Sequence, residues 1–306
     1  MLLCCSNLNG LSKQKIITSI RTFRTVTNIF KQEIKKFSKY IILVRHGEKL
    51  DKKTTSTQQK YHQFDPELSE KGKSQADEVG QLIKKYLTDN NILNQTNSNK
   101  NIQNSYDIGI RFLVSPFTRA ILSAIRIKNQ IIIEKDVNKY PLNIEPLISE
   151  YTNLTNEKIH RCLALFTKQL SFCDEIKNEN IITKSINNNS YYPDHDEFTT
   201  KEINNPKVNK RLKVILDNID HYFYELNCNV LVLVTHAYII NQLNTLMGYP
   251  NLYKSIKEIR NCHSFIYKYN SKDYINNIGI EKAEKNSDKI ITKNTYEFKK
   301  DIYPDQ

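Results

Sequence analysis

The apolar positions of this chain follow two spacings, and the switches between them outline its elements. Tyr40 to Val44 is an unbroken apolar run, and so is most of "NVLVLVT", residues 229 to 235. Runs of that length without alternation predict strands buried on both faces. Ile108 to Val114 predicts another strand, Ile144 to Ile148 a short strand or extended segment, and "SFIYKY" near 264 a last one. Between these runs the spacing becomes helical. Ala76, Val79, Gly80, Ile83 and Leu87 share one face behind Ser69, a capping hydroxyl. Ser115 and Pro116 predict the opening of a second helix, carried on by Ala120, Ile121, Ala124, Ile125 and Lys128. Residues 155 to 170 read as helical. Val208, Leu212, Ile215, Leu216, Ile219, Tyr222, Phe223 and Leu226 form the longest helical stripe, and a further helix follows His236.

Strands alternating with helices predict an α/β fold, a three-layer α/β/α sandwich around a mostly parallel sheet. Lys49 to Phe64, the Asn-rich stretch 88 to 105 and residues 176 to 206 are polar and read as loops. There is no internal repeat and no sign of a second domain.

Composition narrows the picture. Hydrophobic residues make up 39% of the 306 and mean hydropathy is -0.57, yet their clustering in periodic runs supports a sizeable core. Net charge is +12, which favours anionic partners in general. The basic residues are dispersed and no nucleic-acid motif accompanies them, so solvated lysines account for most of the charge and no nucleic-acid partner is expected. Six cysteines form neither a CxxC pair nor a zinc spacing, which fits a reducing compartment. No apolar run approaches the ~20 residues of a membrane span. Residues 1–38 form a basic extension. Within 1 to 32, Lys13, Lys15, Arg21, Arg24 and Lys31 occur without one acid, and Ile16, Ile17, Ile20, Phe23 and Val26 give an apolar face. This is the pattern of an organelle transit peptide; a loose extension or a leading surface helix would read similarly. The compartment expected is therefore cytoplasmic or mitochondrial, intracellular in either case.

The chemistry gathers where strands end. Arg45 and His46 end the first strand, Arg119 lies one turn into the helix after Val114, His236 ends the "VLVLVT" strand, and Glu150 follows "NIEPLISE". Ligands of open α/β sheets bind beyond the carboxyl ends of strands, so these five are expected to meet at one mouth. Buried guanidinium and imidazole groups need a partner or an anionic ligand. A neutral imidazole is a competent nucleophile, and arginine forks suit a phosphoryl group. A buried ion-pair network is the competing account, although two arginines and two histidines exceed the one carboxylate among them.

These segments resemble the histidine phosphatase superfamily, the phosphoglycerate mutase-like family. "RHGE" (45 to 48), "DPELSEKGKSQA" (65 to 76), "SPFTRAILSA" (115 to 124), "EPLISEY" (145 to 151) and "LVTHA" (233 to 237) are similar to its blocks, in order, from about Tyr40 to Phe265. "EPLISEY" is nearest the branch of the ubiquitin-associated, SH3-containing phosphatases. The resemblance implies a histidine phosphatase domain over 39–285, followed by a polar C-terminal tail over 286–306. It implies a phosphomonoesterase needing no metal or other cofactor, acting on a phosphorylated small molecule or phosphoprotein. His46 would become phosphohistidine, Arg45, Arg119 and His236 would hold the phosphoryl oxygens, and Glu150 would serve as acid and base. A phosphoglycerate-type mutase and a phospho-ligand-binding pseudophosphatase are the alternatives. Ala237 stands where the family usually has glycine, and Lys49 where that branch often has arginine. His62, His160, His195, His221 and His263 read as surface or packing residues, and Ser115 as a helix cap.

Overall fold

The computed structural model describes residues 38–50, 65–92, 109–132, 140–150, 176, 179–182, 206–250, 252, 255–271 and 295–304. The basic extension, the expected helix at 155–170, and His62, His160 and His195 lie outside the described residues.

Seven strands form one sheet: β1 (Lys39–Arg45), β2 (Ile110–Val114), β3 (Leu142–Ile144), β4 (Ile181–Ile182), β5 (Val230–Thr235), β6 (Ser264–Asn270) and β7 (Thr295–Ile302). Their order is β4-β3-β2-β5-β1-β6-β7. The first five run parallel, and β6 and β7 close one edge antiparallel. Central strands lose both faces to the core, which is why β1 and β5 carry unbroken apolar runs. Alternate residues serve opposite sides. Ile42, Val44, Val232 and Val234 pack with α1 (Glu70–Asp89) and α2 (Thr118–Ile131), while Ile41, Leu43, Leu231 and Leu233 pack with α3 (Pro206–Asp217), α4 (Ile219–Glu225) and α5 (Ala237–Leu246). The result is an α/β/α sandwich with a mostly parallel sheet.

Several expectations change. Residues 286–306 are not only a polar tail, because Thr295–Ile302 pairs with β6. Tyr296 and Phe298 turn inward to pack on the core while the lysines of this strand face outward, so an edge strand with one solvated face reads as polar in sequence. The long stripe from Val208 is two helices. At Asn218 the side chain donates to Val214 O (2.8 Å), the hydrogen-bonding pattern breaks, and α4 starts afresh. Residues 181 and 182, read as loop, extend the sheet beside β3. Ser69 does cap α1, accepting from Gly72 N at 3.0 Å. Ser115 does not cap α2. That helix begins at Thr118, and no side chain of its own N-cap residue, Phe117, serves it.

Candidate functional site

Register fixes where the chemistry lies. Arg45 on β1 stands opposite Thr235 on β5, and Val114 on β2 opposite Val234. The chain leaves all three strands at one level: His46 N donates to Thr235 O (2.9 Å) and Ser115 N to Val234 O (3.0 Å). His46, Ser115 and His236 are therefore the first residues past three adjacent strand ends. Glu150 arrives from β3 through a 3₁₀ turn, Pro146–Ile148. Arg211 of α3, itself buried, holds this turn by donating to Pro146 O (3.3 Å) and Ser149 O (2.6 Å).

The loop after β1 crosses the start of α1 with its backbone in contact. A Cβ on Gly47 would stand 2.4 Å from Gly72 O, and one on Gly72 2.1 Å from Glu48 O. No side chain fits at either position. Gly47 N donates to Ser123 Oγ (2.9 Å), whose hydroxyl donates to Arg119 O (2.7 Å), so the loop is keyed to the helix that carries Arg119.

His46 is 5% exposed and His236 fully buried. The rings meet edge to face, centroids 5.0 Å apart. His46 Nδ1 lies 2.7 Å from Gly47 O. A carbonyl only accepts, so Nδ1 carries the proton and Nε2 keeps its lone pair. Arg119 Nε–H points at that Nε2 from 3.3 Å. His236 Nε2 lies 2.8 Å from Ser115 Oγ, while its Nδ1 is 3.5 Å from Arg119 Nη2 and 3.7 Å from Glu150 Oε2. Burial, reinforced by the Arg119 charge, holds both imidazoles well below their ordinary pKa; the Gly47 carbonyl only partly opposes this at His46. Both rings are neutral near pH 7.

Arg119 is the hub. Beyond His46 and His236, its Nη2 pairs with Glu150 Oε2 and its Nη1 with Asp65 Oδ1 (3.2 Å). Asp65 opens "DPELSEKGKSQA", and nothing in the sequence marks it for a role. The competing ion-pair reading thus has one more carboxylate than the sequence revealed. Arg45 is tied differently. Its Nη1 donates to Ile259 O, and its Nε is buried without a hydrogen-bond partner among the described residues. Burial lowers its pKa somewhat, against the attraction of Glu150. Lys49 is exposed and its charge also presses on His46. Ala237 opens α5 directly behind His236.

The structure therefore brings His46, Arg119, Glu150 and His236 into one contact set. His221 is at the surface, 4.0 Å from Glu225. His263 is a packing residue, stacked on Phe265 with centroids 4.5 Å apart and 3.3 Å from Asp301 Oδ2. Among the described residues, no group of three or more His, Cys, Asp or Glu is arranged to hold a metal ion, and no helix is long and apolar enough to cross a membrane.

Comparison with known proteins gives one match by sequence family. Residues 41–93 match the model of the histidine phosphatase superfamily (branch 1). No curated protein matches the chain. Solved structures similar to it include "Mycobacterial hydrolase 2" (14% identity, TM-score 0.43, 85% of this chain and 89% of that one). An ecdysone phosphate phosphatase from Bombix mori in complex with tungstate is 12% identical (TM-score 0.43, 75% and 89% covered). A phosphoglycerate mutase from Bacillus anthracis is 15% identical (TM-score 0.42, 77% and 91% covered). Likeness at that level carries no argument for function.

Proposed function

From the histidine phosphatase superfamily signature that this chain carries at residues 41–93, we propose that it is a phosphomonoesterase working through a phosphohistidine on His46. The observation that supports this reading best is the His46 ring itself. It is buried and neutral, its proton is held on Nδ1 by Gly47 O, and its lone pair is turned toward the Arg119 guanidinium. A nucleophile needs an unprotonated lone pair on the side where the electrophile is bound; that of Nε2 accepts only a long hydrogen bond from Arg119 Nε (3.3 Å), which an arriving phosphoryl group can replace.

In the first step His46 Nε2 attacks phosphorus and the bond to the ester oxygen breaks. Glu150, released from Arg119 and protonated by solvent or by the bound monoester monoanion, delivers that proton to the leaving oxygen. In the second step Glu150 takes a proton from water as it attacks phosphorus, the P–N bond breaks, and His46 recovers its lone pair. Arg119 supplies guanidinium donors to the phosphoryl oxygens and His236 a ring N–H, while Arg45, whose Nη1 is given to Ile259 O, adds its charge and its Nε–H. Glu150 is 35% exposed and joined to Arg119 Nη2, at the wet side of the group, where an alcohol departs and water enters. No metal takes part in this scheme. The substrate class is a phosphorylated small molecule or phosphoprotein.

The test is release of p-nitrophenol from its phosphate ester with EDTA present, together with trapping of an acid-labile phosphoenzyme. Turnover and trapping in wild type, both lost in His46→Ala, are expected. Turnover that survives in His46→Ala, or that requires a divalent cation, rejects the scheme.

A further inference from the structure

We infer that Asp65 is a positioning residue of this site: it sets the Arg119 guanidinium for the phosphoryl group by clamping both the side chain and the start of the helix that carries it. The inference rests on the phosphatase reading above.

Asp65 is 6% exposed and lies just ahead of α1, far in sequence from Arg119. Its carboxylate accepts from Thr118 N with both oxygens (3.0 and 2.9 Å), from Thr118 Oγ1 (2.7 Å) and from Arg119 Nη1 (3.2 Å). Three of these bonds fix the first turn of α2, which has no cap from its own N-cap residue. The fourth fixes one edge of the guanidinium. Backbone and side chain of the same turn are thus held by one anion, and a carboxylate at a helix N-terminus is electrostatically favoured. A helix cap alone has no need of the fourth bond.

The edges of Arg119 divide the work. Nη1 is given to Asp65, Nε points at His46, and Nη2 at Glu150 and His236. The Nη1 edge is the one that faces none of His46, Glu150 and His236. When a phosphoryl group arrives, Nε and Nη2 can turn to its oxygens while Nη1 stays anchored. Glu150 can then leave the guanidinium for proton transfer without stranding a buried positive charge, because Asp65 remains as counter-ion.

The experiment measures binding of inorganic phosphate by calorimetry, and kcat and KM on p-nitrophenyl phosphate, in Asp65→Asn and Asp65→Ser, both of which keep an oxygen acceptor for Thr118 N. A guanidinium misplaced by about 1 Å costs roughly 10²-fold, so each variant is expected to lose about that much in phosphate affinity and in kcat/KM. Thr118→Val, which removes only the Oγ1 bond, is the capping control. It is expected to lower the unfolding midpoint and leave phosphate affinity within about 3-fold. In an Arg119→Lys background, Asp65→Asn is expected to cost less than about 3-fold further, since coupled residues are not additive. Full additivity, or phosphate affinity equal to wild type in folded Asp65→Asn or Asp65→Ser, overturns the positioning role and leaves the phosphatase reading intact. A wild-type protein that neither binds phosphate nor turns over the ester overturns that reading, and the inference with it.

Discussion

Two buried neutral histidines at one site make the stability of this fold depend on pH in a way that can be worked through. His46 and His236 are held below their ordinary pKa first by burial and then by Arg119. In the unfolded chain each returns to about 6.5. As pH falls, the unfolded chain takes up protons that the folded one refuses, so stability drops. A histidine neutral when folded and titrating near 6.5 when unfolded loses about 1.4 kcal/mol of its contribution between pH 7.5 and 5.5. The pair together loses about 2.7 kcal/mol, a large part of a typical folding free energy of about 5–15 kcal/mol. The assay is urea unfolding at both pH values in phosphate-free buffer, for wild type and for His46→Asn and His236→Asn. The carboxylates common to all three proteins cancel in the difference. Each variant is expected to lose about 1.4 kcal/mol less than wild type over that interval. Parallel stability curves for wild type and both variants would show that the rings bind protons in the folded state, and would refute the neutral, nucleophile-ready site.

Three further outcomes follow from named contacts. Glu150→Gln is expected to lose about 10²–10⁴-fold in single-turnover phosphorylation by an alkyl phosphate, and clearly less with p-nitrophenyl phosphate, whose leaving group needs no proton; equal losses reject Glu150 as the acid. Gly72→Ala sets a methyl 2.1 Å from Glu48 O, so an overpacking loss of about 1–3 kcal/mol is expected in denaturant unfolding, with activity falling as the His46 loop is displaced. Lys128→Met leaves Glu179 without the cation it pairs with at side-chain exposures of 3% and 6%; about 3–5 kcal/mol of stability should be lost, and Lys128→Met with Glu179→Leu should recover much of it.

What was legible in the sequence was local. β1 and β5 were plain because burial on both faces leaves no polar residue to interrupt the run. Arg45, His46 and His236 stand out as candidates because each sits at or just past the end of such a run, and Arg119 because it lies one turn into the helix that follows β2. Asp65 was not found, since its partners Thr118 and Arg119 are distant in sequence and only the fold brings them together. Ser115 showed the opposite failure. A serine before a proline suits a helix start, but its hydroxyl is engaged by His236 and the helix waits for Thr118. β7 was hidden by its outward lysines, and the break at Asn218 by an apolar stripe that continues in phase across it.

The position of β5 has a consequence for how the chain is made. β1 and β2 do not pair with each other; each pairs with β5, which lies between them. A ribosome therefore releases the Arg45–His46 turn and the Arg119 helix long before the strand that sets them at a common level. Any product that stops short of Val230 has His46 and Arg119 on segments with no shared frame. Nonsense mutations and stalled translation upstream of that point are expected to yield fragments in which the His46 and Arg119 segments are never brought together. The same insertion makes the decisive contacts long-range, and such contacts slow folding.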